Sequence, residues 1–286
     1  MKLCQMHNVC VDTAISEGYR SVMALDRKWT NTVDEGRTNA AWDAYDSAIQ
    51  AEVTGYNFKF QPAASVTGYR TVDWKICKAI VWVESGGPSS SYWKTRVMQI
   101  GNSGDSAIDV LRQGKEGSLL VMSPQLAIEV KAGSINDPML NIRAGIAYLF
   151  TRMAITDIQS IVDPKDSRVY SYTVAGGDTL ERIAVRVGTT VAVLISMNPG
   201  KAQVIHPKDI LNYQKASMQR VIVGWLAFTP MNIASRYNGG GDPNYAAKLD
   251  YVLGILRSLQ RQSKPATIAP VSPLTSDPVT TRPSAR

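Results

Sequence analysis

Apolar residues recur at three- and four-residue steps in four segments of the chain, which is the spacing of one face of an α-helix. The segments predict helices over residues 37–54, from residue 72 to the glycines at 86 and 87, from residue 138 to 153, and from residue 243 to 259. The third and fourth helices begin with Asp-Pro, at Asp137 and Asp242. Asp is a good N-cap and Pro fits the first helical position, so both pairs predict a helix start.

The apolar stripe of the first predicted helix allows two interpretations. Its members are Trp42, Tyr45, Ile49 and Val53. Either the stripe packs against the core of the main domain, or it docks a partner that delivers the protein. The pattern favours packing, because one-sided apolar helices most often cover a core.

Residues 168–215 follow a different pattern. Residues 169–174 alternate and are rich in β-branched and aromatic side chains, which predicts a strand, and residues 209–213 predict a second short strand. Between them, Asp178 is predicted to cap one short helix and Thr190 a second. The order is β-α-α-β, which indicates an independent unit inserted into a helical domain.

The predicted fold class is therefore α+β: a mainly α-helical domain with a small inserted βααβ domain. Residues from 262 onward are rich in Pro, Thr and Ser and are predicted to form a disordered tail. The predicted organisation is a helical N-terminal region of unassigned role (1–70), a main domain in two parts (71–160 and 218–260), the inserted unit (168–215) and the tail (262–286).

Charge and composition limit the partners. The 286 residues carry a formal net charge of +7 with a pI near 9.3, which suits nucleic acid, anionic lipid or bacterial cell wall. Long runs of like charge and basic residues interleaved with aromatic ones do not occur, so the sequence argues against nucleic acid. The three cysteines, Cys4, Cys10 and Cys77, do not form a disulfide framework, and Cys77 is expected to be buried.

The N-terminal residues lack the apolar segment of a secretory signal peptide, and no stretch of the sequence is apolar enough for a membrane span. We therefore expect the protein to be made in the cytoplasm and to reach its site of action by another route.

The inserted unit resembles a LysM module along its whole length. The matching segments are Tyr172–Val174, Gly177–Leu180, Ile183-Ala184, Gly188–Thr190, Leu194, Met197–Pro199 and Ile210-Leu211. The resemblance implies binding of glycans that contain N-acetylglucosamine, such as peptidoglycan and chitin. It places the sugar between two loops, one at Gly177, Asp178 and Thr179 and the other at Asn198 and Pro199.

The helical part resembles the lysozyme-like superfamily, in particular lytic transglycosylases and goose-type lysozymes. Four segments carry the resemblance in the family's order: Val83–Ser85, Val97–Ile100, Asn141-Ile142 with Gly145–Leu149, and Arg236–Gly240 followed by Tyr245-Ala246. Arg96 stands where that family usually has glycine, and the loop between Glu84 and Gln99 is short. These departures predict an altered substrate groove near Arg96.

The resemblance implies that Glu84 is the catalytic acid. Burial among apolar residues and a position at a helix C-terminus both disfavour its ionised form, and a raised pKa is what a general acid at neutral pH requires. The substrate-binding residues that we infer around it are Ser85, Met98, Gln99, Tyr148, Tyr237 and Asn238. Tyr237 is expected to orient Glu84 or to stack on a sugar, and Asn238 serves either the substrate or only a turn.

A second catalytic carboxylate is not evident. Asp105 and Asp109 are the nearest candidates, and Glu116 and Glu129 are more distant in the sequence. Asp105 is expected to cap a helix instead. The related lytic transglycosylases use one Glu first as acid and then as base, and this single-carboxylate chemistry is favoured over hydrolysis.

Other enzyme classes lack their signatures. The two histidines, His7 and His206, are far apart, and no zinc-ligand spacing, nucleophile elbow or phosphate-binding loop occurs. We therefore expect no metal and no cofactor.

Three hypotheses follow. The first is an enzyme that cleaves peptidoglycan glycan strands, acts in the periplasm or at the wall of a target cell, and serves as an antibacterial effector or as a phage lysin or virion enzyme. An effector would have an inhibitory immunity protein and a secretion-apparatus component as partners. The second is an inactive peptidoglycan-binding protein, and the third is a structural component of a secretion needle or phage tail.

Overall fold

The computed structural model describes residues 25–133, 135–201 and 204–263, with side chains through residue 260. The predictions for Cys4, Cys10, His7 and the tail from residue 264 onward lie outside the described residues. Helix is the main secondary structure of the described part, together with two small antiparallel sheets, which confirms an α+β fold.

Eight α-helices precede the first strand of the described part of the chain. The first group of helices is α1 (Arg27–Asp34), α2 (Asp46–Phe60), α3 (Ala64–Thr67), α4 (Trp74–Ser85), α5 (Ala107–Arg112), α6 (Ser118–Val121), α7 (Pro124–Ala132) and α8 (Pro138–Met153). They are followed by β1 (Ala154–Val162), β2 (Tyr170–Thr173), α9 (Leu180–Val187), α10 (Val191–Met197), β3 (Ile210–Tyr213), β4 (Ala216–Trp225), α11 (Pro230–Arg236) and α12 (Tyr245–Ser263).

The prediction of one helix over residues 37–54 is wrong in its first half. Two 3₁₀ turns, Glu35–Arg37 and Ala40–Asp43, precede α2. The chain bends there because Gly36 lies directly against the Trp82 ring, where a Cβ atom would come within 2.4 Å of it. Asn39 then accepts a hydrogen bond from the amide of Ala41 and begins a new turn.

The apolar stripe of this segment packs on the core, as predicted. Trp42, Ile49 and Val53 are each about 1% exposed. The ring of Trp42 lies 4.7 Å from that of Trp82 on α4, and the Tyr45 hydroxyl donates to the carbonyl of Trp93 at 2.6 Å. Residues 27–63 therefore belong to the main helical core.

The two Asp-Pro helix starts have different outcomes. At α8 the Asp137 carboxylate accepts from the amide of Leu140 at 2.7 Å, and Pro138 is the first helical residue, as predicted. At α12 the helix begins at Tyr245, so the predicted start at Pro243 is wrong. Asp242 instead accepts from the amide of Asn244 at 2.8 Å and closes the turn that precedes the helix. At its other end α12 continues through Ser263, past the predicted end at residue 259 and into the predicted tail.

A two-stranded ribbon, β1 paired with β4, was not predicted. The strands are antiparallel and paired from Ala154 and Trp225 at the base to Val162 and Ala216 at the tip. Trp225 anchors the base, because its ring lies 4.7 Å from that of Phe60 and 5.1 Å from that of Tyr69. The ribbon leads out of the helical core to the inserted unit and back.

The βααβ module (residues 168–215) has its own small core. Strands β2 and β3 pair antiparallel, from Tyr170 with Tyr213 to Thr173 with Ile210, and the two helices pack on them. Its buried residues form a cluster separate from the large helical core: Val174, Ile183, Ala184, Val187, Leu194, Leu211 and Tyr213. The predicted β-α-α-β order is confirmed.

The helix-capping residue of this module differs from the prediction. Thr179 is the N-cap of α9, and its hydroxyl accepts from the amide of Arg182 at 3.3 Å. The prediction that Asp178 caps this helix is wrong, because the carboxylate of Asp178 turns back toward the preceding strand. Thr190 caps α10 as predicted.

The large core joins the helices that flank the ribbon. Helix α4 is packed between α2 and α12, and α8 contacts α2, α5, α6, α7 and α11. Among the described residues, no helix has the length and apolar character that crossing a bilayer requires.

Candidate functional site

Glu84 lies in the last turn of α4, where the helix stops. Gly86 ends the helix in the left-handed conformation at φ 70°, and Gly87 follows at φ 88°. The neighbouring α4 residues Val81 and Trp82 are buried, whereas Glu84 is half-buried. The chain thus presents one carboxyl group at the edge of an apolar core.

The buried Tyr245 contacts this carboxyl group directly. Its hydroxyl donates to Oε1 of Glu84 at 2.6 Å, from the first residue of α12. Burial raises the pKa of Glu84 to about 7, and the hydrogen bond from Tyr245 acts in the opposite direction. Burial is the larger influence, so close to neutral pH a substantial fraction of Glu84 carries a proton.

Three charged groups act on Glu84 from a longer range. The negative charges of Asp105 and Asp242 raise its pKa further, and the positive charge of Lys248 lowers it. Asp242 and Lys248 form an ion pair at 2.7 Å, and their effects on the pKa of Glu84 have opposite signs. Sequence reasoning did not single out Tyr245, Asp242 or Lys248 as site residues.

Gln99 contacts the backbone of the candidate acid. Its side-chain amide donates to the carbonyl oxygen of Glu84, and its Oε1 accepts from the side chain of Asn102 at 2.9 Å. Gln99 has a φ of 53°, a left-handed conformation that is uncommon outside glycine. The structure thus brings Gln99 to Glu84, where its amide binds protein atoms. The predicted binding of substrate by Gln99 stays a prediction.

Asn141 holds the segment that carries Gln99. This fully buried side chain accepts from the amide of Met98 at 2.9 Å and donates to the carbonyls of Ile100 at 2.9 Å and Ile135 at 3.0 Å. A buried amide with all these bonds fixes the backbone on both sides of Gln99. Asn141 therefore positions the turn, from its place on α8.

Tyr237 does not make the contact that was predicted for it. Its hydroxyl donates to the carbonyl of Met98 at 2.8 Å, and its ring lies 5.6 Å from that of Tyr148. The side chain is about 9% exposed. Of the two roles predicted for Tyr237, it does not orient Glu84, because Tyr245, eight residues later, has that position instead. Stacking of Tyr237 on a sugar stays a prediction.

Ser85, Met98 and Asn238 have structural roles. The Ser85 hydroxyl donates to the carbonyl of Val81 at 2.6 Å and accepts from the amide of Gly87 at 3.2 Å. Met98 is buried against Gly145, where a Cβ atom would come within 2.6 Å of it. The Asn238 side chain accepts from the amide of Asp242 at 2.8 Å, which is the turn interpretation.

The candidate second carboxylates are occupied elsewhere. Asp105 accepts from the amides of Gly101 at 2.9 Å and Ala107 at 2.8 Å, so it caps α5 as expected. Asp109 is exposed on α5. Glu116 pairs with Arg152, and Glu129 pairs with Arg143.

Arg96 spans the turn that contains Gln99. Its Nη1 donates to the carbonyl of Gly101 at 3.2 Å, and its Nε is buried with no hydrogen-bond partner among the described residues. The guanidinium therefore occupies the space beside this turn, in the region where an altered groove was predicted.

The predicted sugar-binding loops of the βααβ module combine exposed and buried residues. Gly177, Thr179 and Pro199 are exposed, and Gly177 has a φ of 81°. Asn198 is about 5% exposed. Its side-chain nitrogen donates to the carbonyls of Leu194 and Asn212, and its side-chain oxygen accepts from the amide of Asn212.

The carboxylate of Asp178 organises the first of these loops. It accepts from the hydroxyl of Tyr172 and the amide of Ala175, both at 2.8 Å, and pairs with Arg186 at 3.0 Å. These contacts, with the amide of Ala175 first, lower the pKa of Asp178. Asp178 thus shapes the loop, in which Gly177 and Thr179 are exposed and both accept hydrogen bonds from Arg182.

No set of metal-binding side chains comes together in the part of the chain that the structure describes. His, Cys, Asp and Glu residues do not form any group of three or more there that could hold a metal ion. His206 is exposed and lies 3.6 Å from Asp209, whereas Cys77 is fully buried.

Comparison with known proteins identifies one part of the chain. Residues 172–212 match the LysM domain family, and they lie inside the βααβ module. No curated protein and no solved structure matches the chain. The module is thus a LysM domain, which indicates peptidoglycan binding and association with the cell wall. The resemblance of the helical part to lysozyme-like enzymes stays a prediction.

Proposed function

We propose that this protein cleaves the glycan strand of peptidoglycan between N-acetylmuramic acid and N-acetylglucosamine, with Glu84 as its acid. The observation that carries the proposal is a single half-buried carboxyl group with a pKa of about 7, fixed by a buried tyrosine. Such a group holds a proton at neutral pH and releases it to a leaving oxygen. The LysM domain holds the enzyme on the wall and raises the local concentration of substrate.

The proton to be transferred is on Oε2 of Glu84. Tyr245 donates its own hydrogen to Oε1, so Oε1 is the accepting oxygen. Protonated Glu84 gives its proton to the glycosidic oxygen as the bond from that oxygen to C1 of the muramoyl residue breaks. The resulting carboxylate then takes the proton of the muramoyl 6-hydroxyl, whose oxygen bonds to C1 and leaves a 1,6-anhydro end.

This single-carboxylate route fits the charges around Glu84 better than hydrolysis with a second carboxylate. Both oxygens of Asp105 accept backbone amide bonds, and Asp242 is paired with Lys248. Both carboxylates already have protein partners, which favours a route that needs no second carboxylate. We therefore propose lytic transglycosylase chemistry, with hydrolysis as the alternative outcome of the test below.

A second candidate function is peptidoglycan binding without cleavage. The engagement of the Gln99 amide with the Glu84 carbonyl and with Asn102 favours it, since this amide was expected to bind substrate. In that case the protein has affinity for the wall but releases no fragments.

We further propose that the protein acts in the periplasm or at the wall of a target cell, as an antibacterial effector of a contractile secretion system. An immunity protein that inhibits it and a component of the secretion apparatus would be its partners. One alternative is a phage lysin or virion enzyme. Another is a structural component of a secretion needle or phage tail. Stoichiometric co-purification with an assembly would support the structural role.

The test is digestion of purified peptidoglycan by the wild-type protein and by Glu84→Gln, with mass spectrometry of the released muropeptides. We expect 1,6-anhydromuramoyl ends from the wild type and none from the variant. Reducing muramic acid ends would indicate a hydrolase. Wall binding by both proteins with no fragments from either would contradict the enzymatic proposal and support the binding one.

A further inference from the structure

Helix α1 packs against α12, the helix whose first residue contacts Glu84. The rings of Trp29 and Tyr251 lie 6.0 Å apart, and the Tyr251 hydroxyl donates to Asp34 at 2.8 Å. These contacts bring the N-terminal region, whose role the sequence left unassigned, to the side of the candidate active site.

Lys248 is the charged group at this contact. It follows Tyr245 by one helical turn on α12, and its Nζ lies 2.7 Å from Oδ2 of Asp242. The same Nζ lies 5.4 Å from the centre of the Trp29 ring. A cation held between a carboxylate and the face of an indole has a fixed position, because each contact limits the rotamers that the other allows.

Asp242 is fixed as firmly as its partner. Its second carboxylate oxygen accepts from the amide of Asn244 at 2.8 Å, and its own amide donates to Asn238. Asp242 and Lys248 lie on either side of Tyr245 in the chain, and the Tyr245 hydroxyl contacts Glu84. The other titratable groups that interact electrostatically with Glu84 are Asp105 and Tyr237. Of all these groups Lys248 is the cation, and it comes with its own counter-charge.

We propose that Lys248 and Asp242 are positioning residues whose opposed charges adjust the protonation state of Glu84 on top of the effect of burial, and that Trp29 of α1 holds Lys248 in place for this purpose. The consequence for catalysis rests on the proposed function, because it assumes that Glu84 acts as the acid. The electrostatic coupling itself does not depend on any activity. The N-terminal region then contributes a side chain, Trp29, to the candidate active site.

The test is a pH titration of Glu84 by NMR in the full-length protein labelled with ¹³C at the glutamate side-chain carboxyl, with Glu84→Gln to assign its signal. Lys248→Met removes the cation and leaves Asp242 unpaired, so we expect the titration midpoint to rise by about 0.5 to 1 pH unit. Asp242→Asn should lower the midpoint by a similar amount, and the double variant should titrate near the wild type. Trp29→Leu should raise it by less than Lys248→Met, because the cation stays but loses its fixed position.

The matched control is Tyr251→Phe, which removes the hydrogen bond to Asp34 but keeps the ring beside Trp29. Its midpoint should equal that of the wild type. If Lys248→Met does not fold, Lys248→Gln keeps most of the side-chain stem and takes its place. The proposal would be overturned if the folded Lys248 and Asp242 variants titrate with the same midpoint as the wild type. Shifted midpoints with no muropeptide release would support the coupling and contradict only the proposed function.

Discussion

The ionised form of Glu84 is unfavourable in the folded protein, and this has a consequence for stability as well as for chemistry. Its pKa rises from an ordinary value of 4.5 to about 7 on folding. The folded protein thus binds this proton more tightly than the unfolded chain does. The resulting loss of stability is absent below pH 4.5, grows between pH 4.5 and 7, and is complete above pH 7.

Glu84→Gln should therefore stabilise the protein at pH 8 and have little effect at pH 4.5. The expected gain in the free energy of unfolding at pH 8 is about 2 kcal/mol, discounted because Glu84 is half-buried rather than fully enclosed. Urea unfolding at the two pH values measures it. Asp109→Asn, at an exposed carboxylate, is the control and should show no such pH dependence. An equal effect of Glu84→Gln at both pH values would contradict the raised pKa.

Tyr245→Phe removes the hydrogen bond that opposes burial at Glu84, so the pKa of Glu84 should rise further. A general acid is active in its protonated form, so the fall of kcat/KM at high pH should move to higher pH. The maximal rate should drop by about 10- to 100-fold, because the carboxyl group loses its orientation. The pH profile of muropeptide release measures both effects.

The control for this variant is Tyr237→Phe, which removes the bond to the Met98 carbonyl but no bond to Glu84. It should lower stability and leave the high-pH limb of the profile in place. A limb that moves for Tyr237→Phe but stays for Tyr245→Phe would reverse the assignment of the two tyrosines.

At the scale of elements, the end of α4 is determined by two glycines with different constraints. Gly86 and Gly87 both have positive φ, which L side chains adopt only with strain. A Cβ atom on Gly86 meets nothing within 4 Å, whereas one on Gly87 would come within 2.2 Å of the Trp42 ring. The 3₁₀ turn that carries Trp42 thus closes on the turn that follows Glu84.

Gly86→Ala and Gly87→Ala therefore form a matched pair. Gly86→Ala should lower the free energy of unfolding by about 1 kcal/mol, from backbone strain alone. Gly87→Ala should cost about 2 kcal/mol more, because Trp42 must move away from the buried Trp82. Thermal and denaturant unfolding of the two variants measures the difference. Equal losses would show that the contact with Trp42 adds no constraint.

The elements that could be predicted from the sequence are those with a clear contrast between buried and exposed faces or with a recognisable cap. Helix α9 of the LysM domain has such contrast, with Ile183, Ala184 and Val187 buried. Helix α8 is buried on nearly every side and was predicted from its Asp-Pro cap and its apolar spacing. The β1–β4 ribbon has little such contrast, since Ile155 and Ile158 are 44% and 46% exposed and polar residues lie on both faces. Its remaining signal is the abundance of β-branched residues between Ile155 and Val162.

The composition of the candidate site was predicted less well than its location. The four segments meet around Glu84, but Tyr245 makes the contact with Glu84 that was one of the two roles predicted for Tyr237. The glycines at 239–241, two of them with positive φ, let the chain reverse between the two tyrosines before α12 begins. The sequence did hold a signal for two of the missed residues. Tyr245 and Lys248 are one turn apart on a predicted helix, so they share one of its faces.

At the scale of the whole molecule, the LysM domain is joined to the helical domain by a paired ribbon with contacts at its tip. Ser160 on β1 shares a hydrogen bond with Thr190, and Lys215 donates to the carbonyl of Val187. The amide of Ala216 donates to the carbonyl of Gly188 at 3.2 Å. These bonds tie the LysM domain to both strands at the tip of the ribbon, so we expect the ribbon to limit the movement of the domain.

Spin labels at Val185 in the LysM domain and Val66 on α3, both more than 80% exposed, should therefore give one narrow distance distribution in pulsed EPR. Cys4 and Cys10 are replaced by Ser for this experiment, while the buried Cys77 stays. Ser160→Ala combined with Lys215→Met should broaden the distribution. A broad distribution in the unmodified background would show that the ribbon acts as a flexible tether.

The pairing at the tip of the ribbon also bears on how the chain folds. The amide of Asp163 donates to the carbonyl of Lys215 at 2.8 Å, so the two ends of the inserted segment are neighbours. The helices on either side of the insert must meet to form one core, and an unfolded insert is a long loop that opposes this meeting. Once the LysM domain has folded, the loop is reduced to a hairpin, which lowers the entropy cost of closure by about 2 kcal/mol. The LysM domain thus assists the assembly of the domain that it interrupts in sequence, and we expect early folding of the insert to accelerate folding of the whole chain.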